Sequence, residues 1–141
     1  MDNVKSELEY CYLSAKNLED FSAALERARK NYIPNSFSQI RNYVEDLYGV
    51  ICIELDTRYA EELCKFLDPT DIDMADMMTD MITWNFPNYY PRDDRDREKM
   101  RIINVFVSYL ENIRTSQKVK SQLERFRRSL NYESIKRLDT L

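Results

Sequence analysis

The chain has 141 residues, 43% hydrophobic and 33% charged, with a formal net charge of −4, which suits one soluble domain able to bury a single core. It contains no histidine, so the usual neutral-pH proton shuttle is missing and Ser–His–Asp and Cys–His catalysis are excluded. Its one glycine, Gly49, is too little for a phosphate-cradling loop or a dinucleotide fingerprint, and the expectation is a non-enzymatic protein without cofactor or metal.

Val4, Leu8, Cys11, Tyr12 and Ala15 recur at helical spacing and open an amphipathic stretch. Asn17 with Asp20 three residues on is an N-cap signal, and Leu18, Phe21, Leu25, Ala28 and Tyr32 continue a stripe; residues 3–32 fit either one helix or two. Ile33-Pro34-Asn35 ends the stretch. Ser36 and Gln39 then form a capping-box pair ahead of Phe37, Ile40, Val44, Leu47, Tyr48, Ile51 and Leu55. Val50 to Ile53 is the longest apolar run and the only strand-like one. With no second strand to pair with, it reads as a buried part of that helix.

Asp56 and Thr57 are candidate caps for a turn carrying Tyr59, Leu63, Phe66 and Leu67. Asp68-Pro69-Thr70 breaks the chain, and a helix is expected from about Asp71 to Trp84. Thr83 to Pro91, TWNFPNYYP, holds two prolines and cannot be mid-helix. Asp93 and Asp94 then cap a strong helix through Met100, Ile103, Phe106, Leu110 and Ile113. The stripe slips phase near Thr115-Ser116 and resumes at Val119, Leu123, Phe126 and Leu130, with a last short turn carrying Ile135 and Leu138. The whole predicts an all-α, single-domain bundle over residues 1–141, of six or seven helices with short connections.

Two regions stand out as binding surfaces. On a helical wheel Met74, Met77, Met78 and Met81 share a face, and Trp84 extends it. Such a stripe is more often core than groove, yet four methionines on one face also suit an adaptable surface for an apolar partner. Trp84 and Phe86 read as core plugs, whereas Tyr89 and Tyr90 suit either a cap on the bundle or contact with a protein partner. Asp71 and Asp73 open like a calcium loop, but the sixth position is not glycine and Ile82 stands where the last ligand belongs, so calcium is rejected.

The second region is basic. From Arg92 onward thirteen Lys or Arg face eight Asp or Glu, a balance of +5; the remainder has eight against seventeen, or −9. If one helix covers residues 114–130, Arg114, Lys118, Arg125 and Arg128 form a stripe opposite the apolar face, with Lys120 and Arg127 on its flank. That stripe fits a solvated face, an acidic protein or nucleic-acid phosphate, the last giving no sequence readout by itself. The divided charge also invites pairing of two copies.

Cys11, Cys52 and Cys64 are odd in number and lack CxxC spacing, which suits free thiols in a reducing, cytoplasmic or nuclear setting. No apolar run approaches the roughly 20 residues of a membrane span. The leading expectation is an adaptor, inhibitor or assembly subunit that binds a protein. The alternative is binding of RNA backbone or a ribonucleoprotein through the basic helix.

Overall fold

The computed structural model describes the backbone of residues 2–33, 35–54, 56–85, 94–113 and 115–139, with side chains except at 2, 84, 85, 96 and 129–139. Among these residues there are seven helices and no strand: α1 (Asp2–Leu13), α2 (Leu18–Arg29), α3 (Phe37–Glu54), α4 (Thr57–Phe66), α5 (Ile72–Asn85), α6 (Asp94–Glu111) and α7 (Gln117–Asp139).

Local chemistry sets most boundaries. The first stretch is two helices because Asn17, with extended backbone, takes the Asp20 N–H at 2.9 Å and starts α2 afresh. Asn35 has a φ of 67°, a left-handed conformation that asparagine tolerates better than most residues, and it turns the chain into α3. Ser36 is at the start of α3, but its hydroxyl donates back to the Ile33 carbonyl rather than closing the expected capping box. Asp56 caps α4 through the Arg58 N–H at 2.9 Å, and Asp71 caps α5 through the Met74 N–H at 3.1 Å.

The phase slip near Thr115 is a real break between α6 and α7. The Val119 N–H donates to Ser116 Oγ at 3.3 Å, capping α7, which begins at Gln117, three residues later than 114. No separate last turn exists, since the backbone runs as one helix to Asp139, carrying 135 and 138 with it.

α3 touches α1, α4, α5 and α6, and α6 touches α3, α4, α5 and α7, while α2 packs on α1 and α4, and α7 on α5 and α6. The buried side of α3, Phe37, Ile40, Val44, Leu47, Tyr48 and Ile51, meets the other helices in one continuous core. Tyr48 packs on Phe106 of α6 with ring centroids 5.1 Å apart, and Tyr32 meets Phe66 of α4 edge-on at 5.5 Å. The strand-like run is helical as expected, yet it is not buried throughout. Ile51 is in the core, Val50 and Cys52 are half-buried, and Ile53 is 64% exposed, because a period of 3.6 cannot point four successive residues inward.

Candidate interaction surface

The methionine face resolves toward the core. Met74, Met78 and Met81 are 0%, 1% and 3% exposed, and Met77 is partly buried against the same cluster. Of the two readings of this face, burial favours the core over the groove: α5 packs against α3, α6 and α7, and these thioethers fill gaps between helices. The acids of α5 lie elsewhere on the helix, Asp73 and Asp76 exposed and Asp80 half-buried. Among the described residues no three potential ligands come together to hold a metal ion. The Trp84 side chain, Tyr89 and Tyr90 lie outside the described residues.

Of the basic residues, Lys118, Lys120, Arg125 and Arg128 are exposed on α7, while Val119, Leu123 and Phe126 are buried beneath it. Arg127 departs from the expected solvent-facing cation. Its guanidinium turns onto α6, donating to Ser108 Oγ at 3.1 Å and Glu111 Oε2 at 3.3 Å, with a further bond to Asn104. It fixes the roll of α7 on α6, so the outer face carries Lys118, Arg125 and Arg128. Glu124 lies 3.8 Å from Arg128, a loose, exposed i,i+4 pair of little strength. Arg114 lies outside the described residues.

The thiols offer no nucleophile. Burial pushes Cys11 up to about 12, with the nearby Glu7 adding to it, and burial likewise pushes Cys64 up to about 12. Burial raises Cys52 as well, so all three are held as thiols at neutral pH. A shallow groove of about 210 Å³ separates α2 from α4. Two carboxylates line it, Glu26 and Glu62, and Glu62 accepts from Ser22 Oγ at 2.8 Å and Lys65 Nζ at 3.0 Å.

One surface escapes the periodicity argument. The outward side of α3 shows Asn42, Glu45, Asp46, Gly49 and Ile53, all exposed and within roughly 100° on the wheel. The signals in the sequence were the lone glycine and the odd member of the apolar run.

No helix among the described residues is long and apolar enough to cross a membrane. The chain matches no known protein-family model, and no curated protein and no solved structure is significantly similar to it.

Proposed function

We propose that the protein is a non-enzymatic helical interaction module that binds an acidic protein surface through the outer face of α7. The observation that carries this reading is the segregation of Lys118, Arg125 and Arg128 onto the solvent side of a helix whose opposite side, with Arg127, is spent on docking. A face held rigid by its own core contacts loses little entropy when a partner arrives, and like charges on it steer complementary surfaces. The protonated, buried thiols are consistent with a role that involves no covalent chemistry.

Nucleic-acid phosphate is the competing ligand for the same cations. The net charge of −4 and Glu124 beside the stripe weigh against it, because a polyanion meets the whole field of the protein. The test is affinity capture from the native cell with the wild-type chain and with Lys118→Glu/Arg128→Glu, before and after nuclease. A stoichiometric protein retained by wild type, resistant to nuclease and lost with the variant is the expected result. Capture that nuclease abolishes, or that the variant leaves unchanged, overturns the reading.

A further inference from the structure

Gly49 lies in the middle of α3, where glycine is the worst residue for the helix short of proline. Nothing among the described residues asks for it. Its φ is not positive, and a Cβ built there meets no atom within 4 Å. Alanine would fit and would favour the helix, so among the described residues the chain's one glycine meets no intramolecular reason to be there. It lies on the centreline of the exposed side of α3, with Asp46 and Glu45 one turn before it and Ile53 one turn after. The missing side chain makes a notch at the midpoint of that stripe, flanked by carboxylates on one side and an apolar residue on the other. Arg95 bounds the apolar end, reaching the Ile53 carbonyl at 3.4 Å.

We infer that this stripe is a docking groove for a helix of a second copy of the chain, and that the helix is α7. This rests on the reading of α7 as a binding face. Two packed helices ordinarily keep their axes about 8–10 Å apart, the distance being set by the side chains at the crossing point; a glycine there permits the shorter end. α7 brings Lys118, Arg125 and Arg128 in a row, which match Glu45 and Asp46 in sign, and the long aliphatic stems of lysine and arginine suit Ile53. The division of the chain into a −9 part and a +5 part is the same complementarity at larger scale. Because α3 and α7 are different surfaces, the contact is heterologous and propagates head to tail instead of closing as a two-fold dimer. A single helix crossing buries less than the roughly 1,200–2,000 Å² of a stable complex, so the association is weak and salt-sensitive.

Sedimentation velocity of the full chain over a wide concentration range, at low and high salt, tests this. Wild type is expected to grow beyond monomer with concentration at low salt and to return to monomer when salt is raised. Gly49→Leu should stay monomeric with an unchanged circular dichroism spectrum. Gly49→Ala should melt higher than wild type while associating less. Glu45→Lys/Asp46→Lys and Lys118→Glu/Arg128→Glu should each be monomeric alone and associate when mixed. A wild type that is monomeric throughout, or association that survives Gly49→Leu, overturns the inference and leaves the capture experiment with an external partner intact. Association lost on changing α3 but indifferent to Lys118→Glu/Arg128→Glu overturns both the choice of α7 and the function built on it.

Discussion

The Tyr32 hydroxyl donates to Asp71 Oδ2 at 2.6 Å, joining the end of the α2 segment to the first turn of α5 across 39 residues of sequence. Asp71 is 1% exposed, and its other oxygen accepts the Met74 N–H at 3.1 Å. One buried carboxylate thus caps α5 and anchors the α2–α3 connection. Burial, and then this hydrogen bond, raises the Tyr32 hydroxyl far above the ordinary tyrosine value.

Tyr32→Phe keeps the ring on Phe66 but withdraws a donor from a buried carboxylate. The expected loss is about 1–3 kcal/mol in urea unfolding, the range for an unsatisfied buried polar group. Asp71→Ala should cost more, because the α5 cap goes as well. Equal stability of Tyr32→Phe and wild type would show that the bond contributes nothing net.

The same burial sets an alkaline limit. Cys11 and Cys64 titrate near 9.0 when unperturbed and near 12 in the fold, so the unfolded chain loses their protons first. Their contribution is fully present below pH about 9 and drains away between about 9 and 12. Tyr32, Tyr48 and Tyr109 are raised in the same direction and add to the loss above pH 10. The urea midpoint, followed against pH, should be level through neutrality and fall above pH 9. Replacing both cysteines with alanine should make the first part of that fall shallower.

Local signals made the helices legible. Asn17, Asp56 and Asp71 cap what they precede in sequence, and the apolar spacing marks which side of each helix is buried. The candidate site was less legible, because a helical wheel shows which residues share a face and not what covers it. The four methionines fitted a groove or a core, and the packing of α5 against three helices decided for the core. Arg127 looked like its basic neighbours until Asn104, Ser108 and Glu111, 16 to 23 residues away, claimed it. Ile53 went astray for the opposite reason, having been grouped by apolarity when its angle on α3 pointed outward.

The division of labour on α7 has its own signature. Arg127→Ala should destabilise by about 1–2 kcal/mol, since it removes several bonds at once but from a partly exposed site. Arg127→Lys should recover little, because a single ammonium cannot reach partners arrayed for a fork. Lys118→Ala and Arg128→Ala should stay within about 0.5 kcal/mol of wild type. Thermal or urea unfolding of the four variants separates the docking side of the helix from its displayed side.

The fate of the methionine face can be decided without any partner. Met78 is 1% exposed and Met74 0%, among side chains contributed by neighbouring helices. Truncating either to alanine removes the buried thioether and leaves a cavity that rigid helices close only in part. The expected cost is about 2–5 kcal/mol, a large share of the stability of a domain this size. Met77, only partly buried, should cost less, and Met78→Leu should cost under about 1.5 kcal/mol because volume is kept. Alanine variants at 74 and 78 that melt like wild type would mean the face is open to solvent and available for binding. A steep loss at those two positions, with a smaller one at 77, is what burial on three sides requires.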